Sequence, residues 1–319
     1  MENFRLRVFR GVAQHLNFRV ASEELLLTQP AVTQQIKALE SELGTPLFDR
    51  SGGRVALTPA GLALVPYAEQ LRRLSQEARE AVAAAVGTTA GELAIGASQT
   101  IGQYLLPRLL AAFLAESPRV QLSVSGGNTQ TVLEDLRARR IQVAMIEGPV
   151  FGHDVRVQPF MEDHLVCVVA TDNEFADRPV SLEELKQMTL LMREQGSGSR
   201  RVVEQAMEAA GLSLKDLRLG LTFDSTEGLL SAVEAGLGVA FVSRWAVRNQ
   251  LALGTLRLAQ VKQLKLSRMF SLATAGGPEP SGTAGVFYRL VLDRAETLTP
   301  RATGRSRLDR NPTTDNRAK

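Results

Sequence analysis

Apolar residues recur at helical spacing from the start of the chain. Phe9, Val12, Ala13 and Leu16 mark a first amphipathic helix ending near His15-Leu16-Asn17, and Val20, Ala21 and Leu25 mark a short second one. Thr28-Gln29-Pro30-Ala31 reads as a helix start, with Thr28 as cap and Pro30 in the first turn, where its missing N–H costs nothing. In this third helix Val32, Ile36, Leu39 and Leu43 fall at i, i+4, i+7 and i+11, one stripe for packing on the first two, and Gly44 ends it. From Pro59 to about Val86 one long helix is predicted. Its Ala60, Leu64, Tyr67, Leu71, Leu74, Ala78, Ala81 and Ala85 alternate spacings of four and three, the seam of a coiled coil, with a kink expected at Pro66. That seam predicts dimerisation; the other reading is a helix packed on its own chain's core.

Beyond Gly91 strand-like and helix-like segments alternate. Leu93–Gly96, Val120–Val124 and Val143–Ile146 read as strands, with helices at Ile101–Ala115 and Thr129–Arg139. A second set holds apolar runs at Leu165–Ala170 and Val239–Val242 and helices near Leu182–Lys186, Arg201–Ala210 and Leu229–Ala235. Such alternation predicts parallel sheets covered by helices, and two sets predict two lobes with a ligand at the carboxyl ends of the strands.

The polar face of the third helix carries the first candidate chemistry. Gln29, Thr33 and Gln34 offer amides and a hydroxyl, which suit base edges, and Lys37 suits a phosphate. A solvated face of an ordinary three-helix unit would look the same, and these residues alone do not choose between the two. Pro46 to Thr58 then reads as two short strands around Gly52-Gly53, with Arg50 and Arg54 bracketing the tip. A hairpin tipped with arginines after such a helix is a wing, placed to touch the DNA backbone or minor groove.

Composition narrows the class. At 319 residues and 44% hydrophobic, the chain predicts a folded protein of two or three domains. The net charge of +3 argues only weakly for a nucleic-acid partner. Part of it sits in the Thr-, Pro- and Asn-rich tail with Arg301, Arg305, Arg307, Arg310, Arg317 and Lys319, read as disordered. Cys167, the one cysteine, lies in an apolar run and reads as a buried strand residue of a protein in a reducing compartment, with a redox-sensing thiol as the lesser alternative. There is no apolar run of the ~18 residues that a membrane span needs and no secretory pattern after Met1, so a cytoplasmic protein without a membrane partner is expected. Catalysis is not expected either. His15, His153 and His164 have no metal-ligand spacing, Glu183-Glu184 reads as a solvated pair, and the loop around Gly196 lacks the Gly-Lys-Ser/Thr ending of a nucleotide-binding loop. No metal or cofactor is implied.

The stretch from Phe4 to Gly61 resembles the DNA-binding domain of LysR-type transcriptional regulators. The matching motifs are Val8-Phe9, Asn17-Phe18, Thr28-Gln29-Pro30-Ala31-Val32-Thr33, Gln35-Ile36-Lys37, Leu39-Glu40, Leu43-Gly44, Leu47-Phe48-Asp49-Arg50 and Leu57-Thr58-Pro59-Ala60-Gly61. The resemblance implies that Gln29, Pro30, Ala31, Thr33, Gln34 and Lys37 approach double-stranded promoter DNA, with Arg54 on the wing; Thr28 at the helix start and Arg50 at the hairpin are counted as DNA-binding candidates with them. Two positions depart from the family pattern. Arg19 stands where Ser or Thr is common, and is expected to replace a hydroxyl contact to phosphate. Gln34 stands where Arg is frequent, and is expected to favour adenine over guanine.

The C-terminal region, to roughly Leu290, resembles the family's two-lobed effector domain, akin to periplasmic solute-binding proteins. Ser98, Gln99 and Thr100, then Asn128, then Gly196, Ser197, Ser199 and Arg200, then Ser225 stand at helix starts, where free N–H groups and hydroxyls favour an anion. Each alone also reads as an ordinary cap; Ser98, Thr100 and the Gly196-Ser197-Gly198-Ser199-Arg200 loop taken together favour a ligand. Arg193-Glu194-Gln195-Gly196-Ser197-Gly198-Ser199-Arg200 is similar to a loop in members that regulate sulfur assimilation or carbon fixation. That similarity implies an inorganic oxyanion or a small metabolite bearing phosphate or carboxylate, although Glu147 and Asp224 would repel an anion if unpaired.

The expected fold class is mixed: a mostly α winged helix-turn-helix over 1–58, a linker and dimerisation helix over 59–86, a hinge over 87–91, a two-lobed α/β effector domain over 92–295 and a disordered basic tail over 296–319. The expected function is effector-controlled transcription regulation by a homodimer or homotetramer; the alternative is a solute-binding protein without DNA activity.

Overall fold

The computed structural model describes residues 3–51, 54–85, 89–150 and 154–298. The chain divides into an N-terminal unit ending at Ala90 and a C-terminal unit beginning at Gly91. The expected turn at Gly52-Gly53, hinge residues Gly87 and Thr88, His153 and the tail beyond Leu298 lie outside the described residues.

The N-terminal unit is built from α1 (Phe4–His15), α2 (Phe18–Glu24), α3 (Gln29–Leu43), a hairpin of β1 (Phe48–Asp49) and β2 (Ala56–Leu57), and α4 (Pro59–Ala85). Its helices start on capping side chains. Asn3 accepts from the Arg5 N–H, Asn17 from those of Arg19 and Val20, and Thr28 from that of Ala31. Gly44 closes α3 in the left-handed region at φ 68°, where a side chain would be strained. Val8, Phe9, Val12, Ala21, Val32 and Ile36 form a fully buried core. The Phe48 ring of the hairpin packs on Phe9 and Phe18 at 5.5 and 5.7 Å. Glu40 ties α3 to the hairpin, because its carboxylate accepts from the backbone N–H groups of Leu47 and Phe48. Leu43, expected in the buried stripe, is 46% exposed. It is the last helical residue, and the stripe has by then run past the elements it packs on.

Helix α4 runs unbroken through Pro66, which is exposed. Its start packs on the same core through Ala60, Leu64 and Ala68. Further along, Tyr67, Leu71 and Leu74 are 64%, 50% and 61% exposed, so this part of the seam is not covered by the chain's own core.

The C-terminal unit has two lobes. The first holds β3 (Ala90–Ser98), α5 (Gln99–Tyr104), α6 (Leu106–Glu116), β4 (Arg119–Gly127), α7 (Thr129–Arg137) and β5 (Val143–Glu147). The helix expected over Ile101–Ala115 is two helices; the chain breaks at Leu105, just before Pro107 at the start of α6. Next, β6 (Val155–Ala170) crosses to the second lobe, which holds α8 (Leu182–Gln187), β7 (Thr189–Arg193), α9 (Gly198–Ala209), β8 (Arg218–Phe223), α10 (Thr226–Glu234), β9 (Ala240–Ser243), α11 (Arg248–Leu253) and β10 (Leu256–Ala259). Finally β11 (Ser267–Ala275) crosses back and α12 (Gly282–Leu298) buries Phe287, Tyr288 and Val291 in the first lobe's core.

The expectation of parallel sheets is corrected in part. β3 pairs β5 and β7 pairs β8 in parallel, but β6, β9, β10 and β11 join antiparallel partners. The segment expected to begin at Leu165 begins at Val155, since one 16-residue strand serves both lobes. Ala90 and Gly91, assigned to the hinge, already belong to β3, and residues 296–298, assigned to the tail, complete α12.

Candidate DNA interface and effector cleft

On α3 the buried stripe turns the opposite face outward. Gln29, Pro30, Thr33, Gln34 and Lys37 line one shallow surface hollow, and all but the half-buried Thr33 are exposed. Thr28 is committed to its cap, and Ala31 is half-buried behind it. At the flanks, Arg19 reaches back to Glu23 at 3.1 Å, an exposed pair that contributes little and is easily exchanged for a phosphate. Arg50 lies 4.3 Å from the centre of the Phe18 ring and 4.0 Å from Glu40, which orients its guanidinium on the wing side of α2. Arg54 is exposed beside β2. The face therefore offers amides and a hydroxyl in its middle and cations at its edges.

In the C-terminal unit the carboxyl ends of β3 and β5 face the N-termini of α9 and α10 across the lobes. Gln99 spans this gap: its amide donates to the Asp224 carbonyl at 2.5 Å and accepts from the Thr226 N–H at 3.1 Å. Beside it the Tyr104 hydroxyl bonds Glu227, and burial with that carboxylate pushes the phenol's pKa up. At the other end Asn128 donates to Glu194 at 3.1 Å, and the Gln130 N–H donates to the Gly196 carbonyl at 3.3 Å. Gly198 permits the closest approach, because a Cβ there would collide with the Glu147 carbonyl and the Thr129 hydroxyl.

The centre is a buried charge cluster built on Arg268 and Asp163, neither of which was among the candidates read in the sequence. Arg268, on β11, places Nε 2.8 Å from Asp163 and Nη1 2.8 Å from the Ser199 hydroxyl. Its Nη2 lies 3.2 Å from Glu147 and 3.3 Å from the Thr100 hydroxyl. Ser243 donates to the other Asp163 oxygen at 2.8 Å. Burial is the largest influence on Asp163 and raises its pKa, with Arg268 and Ser243 opposing. The signal for both charges was period two. Leu264, Leu266, Arg268, Phe270 and Leu272 form one buried stripe, as do Met161, Asp163, Leu165 and Cys167, so each charge holds an inward position.

Of the effector candidates, Thr100 and Ser199 meet through Arg268, Asn128 meets the Gly196 loop, and Gln99 meets the segment of Ser225. Asn128, Ser197 and Ser225 also cap their own helices. Arg200 is not an open cation; it pairs with Glu204 at 2.7 Å and donates to the Arg193 carbonyl. Arg193 is likewise held by Glu194 and Thr226. Glu147, expected to repel an anion if unpaired, is paired with Arg268. Cys167 is buried in its strand and its thiol is pushed up to about 12 by that burial, as befits an inert core residue.

Comparison with known proteins agrees with this two-part build. Residues 4–62 match the family described as bacterial regulatory helix-turn-helix protein, lysR family, and residues 87–296 match the LysR substrate binding domain. The chain is 31% identical over 300 residues to a probable RuBisCO transcriptional regulator of Cyanophora paradoxa, covering 93% of each. It is 33% identical over 267 residues to the HTH-type transcriptional regulator CysL of Bacillus subtilis, covering 83% of this chain and 88% of the relative. A full-length OxyR variant from Pseudomonas aeruginosa superposes with a TM-score of 0.64 at 25% identity, covering 92% of this chain and 93% of that one. The chain belongs to the LysR family of transcription regulators, DNA-binding proteins that carry a domain for a small-molecule effector.

Proposed function

We propose that this regulator reads promoter DNA through the outward face of α3, and that a small anionic effector in the cleft between its lobes changes that reading. One observation carries the first part: Gln29, Thr33, Gln34 and Lys37 share a face that the protein's own core leaves open. Gln29 and Gln34 are assigned to base edges, Thr33 and Pro30 to close approach at the groove, Lys37, Arg19, Arg50 and Arg54 to phosphates, and Thr28 and Ala31 to holding the helix start. The exposed Tyr67, Leu71 and Leu74 support dimerisation through α4, which would set two copies of α3 on related half-sites.

For the effector, hydroxyls and amides from both lobes converge on the cleft, and a ligand bridging them would alter how the lobes are held. Coupling of cleft to DNA would be on the order of 1–3 kcal/mol. The role is binding and not catalysis. His15 and His164 are exposed side chains beside Glu24 and Glu162, and Cys167 is inert. Among the described residues no helix is long and apolar enough to cross a membrane; a protein that reads promoters belongs where the chromosome is, in the bacterial cytoplasm. A mobility-shift assay with the DNA upstream of the protein's own gene tests the reading. Retention of that fragment against random competitor supports it, and equal loss to competitor overturns it.

A further inference from the structure

Two polar atoms at the same sheet edge have no hydrogen-bond partner although both are buried. Ser98 ends β3 and is fully buried, yet its hydroxyl neither caps α5 nor meets another group. Glu147 ends β5, the parallel neighbour of β3, and is 2% exposed. Its Oε1 accepts from Ser199 of the opposite lobe at 3.3 Å. Its Oε2 lies 3.2 Å from Arg268 Nη2, within ion-pair reach, but makes no hydrogen bond. The ion pair supplies charge to this oxygen but not the directed hydrogen bond that a buried carboxylate oxygen accepts, so together with the Ser98 hydroxyl it marks a place for a partner.

We propose that Glu147 is the specificity-determining acceptor of the effector cleft, and that the effector is an anion carrying a hydrogen-bond donor of its own, such as a hydroxyl or a protonated phosphate oxygen. The inference rests on the anionic-effector reading above and narrows it. An ionised carboxylate only accepts, so it repels an oxyanion that has no proton to offer. Arg268 cannot compensate for such a ligand, since Asp163 and Glu147 already share its single positive charge. Ser98 can donate or accept, so it adds a contact for either kind of anion without choosing between them. Hydrogen phosphate keeps a proton at neutral pH and sulfate does not, which makes the two similar tetrahedral ions the discriminating probes.

Calorimetric titration of the full-length protein with inorganic phosphate and with sulfate at neutral pH and fixed ionic strength tests this. We expect phosphate to bind at least about tenfold more tightly than sulfate, the loss of one buried donor–acceptor match. In Glu147→Gln, whose amide both donates and accepts, we expect the ratio to fall below about threefold, mainly through gained sulfate binding. A purely electrostatic role for Glu147 would raise both affinities together and leave the ratio unchanged, which overturns the proposal. Ser98→Ala keeps the fold testable if Glu147→Gln does not fold: it should weaken both anions and preserve their ratio, and a changed ratio contradicts the assignment. Equal binding of both ions to the wild type overturns this inference alone. Binding of neither at millimolar concentration overturns it together with the anionic-effector reading.

Discussion

Arg268 on β11 and Asp163 on β6 face each other at 2.8 Å, both about 1% exposed, on two strands that cross between the lobes in opposite directions. The pair lies 105 residues apart in sequence and pins the crossing. Glu147 and Thr100 from one lobe and Ser199 and Ser243 from the other complete it, so this one charge pair gathers side chains of both lobes.

Arg268→Ala should therefore destabilise the C-terminal unit by about 3–5 kcal/mol, because it leaves two buried carboxylates without their cation. Chemical denaturation of the full chain, followed by a probe in that unit such as Trp245, checks this. A loss under about 1 kcal/mol would mean that the pair is not buried as described.

The interface on α3 should divide by chemistry. Gln29→Ala should cost about 1–3 kcal/mol on the preferred site and little elsewhere, relaxing base preference. Lys37→Ala should weaken specific and random duplexes alike and lower the salt dependence. Competition binding at two salt concentrations separates them, and equal loss on all sequences for Gln29→Ala would remove its base-reading role.

Most of the N-terminal unit was legible in the sequence, because its order is local. Thr28, Pro30 and Gly44 bound a helix whose stripe of Val32, Ile36 and Leu39 is buried. The cleft was legible at its rim, where Ser98, Asn128, Ser197 and Ser225 announce helix starts, but not at its centre. Arg268 and Asp163 look like outward residues of polar strand segments until their neighbours at period two are counted, and no local pattern says that they meet. The strand pairing that joins them is long-range, which is also why β6 was read from Leu165 only and why β11 and α12 were not read at all.

Gly198→Ala should hold the lobes apart. Its new methyl group meets the backbone at Glu147, where nothing flexible can yield. Overpacking of this kind costs about 1–3 kcal/mol, here charged against the closed arrangement. Small-angle scattering of the variant should show a larger C-terminal unit and titration a weaker anion response, with DNA binding retained. Unchanged dimensions would show that the close approach is not maintained in solution.

On α8, Ser181 and Glu184 form a reciprocal cap, and Arg178 adds an ion pair at 2.9 Å. Backbone donation from Ser181, then Arg178, lowers the Glu184 pKa from 4.5 to about 2. A carboxylate depressed in the folded state stabilises it above its unfolded value and loses that contribution as pH falls toward the folded one. Melting temperatures of wild type and Glu184→Gln should thus differ most above pH 4.5 and converge as pH drops toward about 2. A constant difference across that window would contradict the cap's ionic character.

Leu71→Asp combined with Leu74→Asp should leave the folding of the monomer intact, since both side chains are half or more exposed in a single chain. It should halve the sedimenting mass and weaken operator binding about a hundredfold or more, as one half-site replaces two. An unchanged mass would assign dimerisation to another surface.

The most direct test of DNA reading is selection of duplexes from a random-sequence pool by the full-length protein at physiological salt. A dimeric reader should enrich a sequence with two-fold related halves whose centres lie about one helical turn, or a multiple of it, apart. Recovery of a pool no different from the input, with and without a cell-metabolite extract, would contradict it.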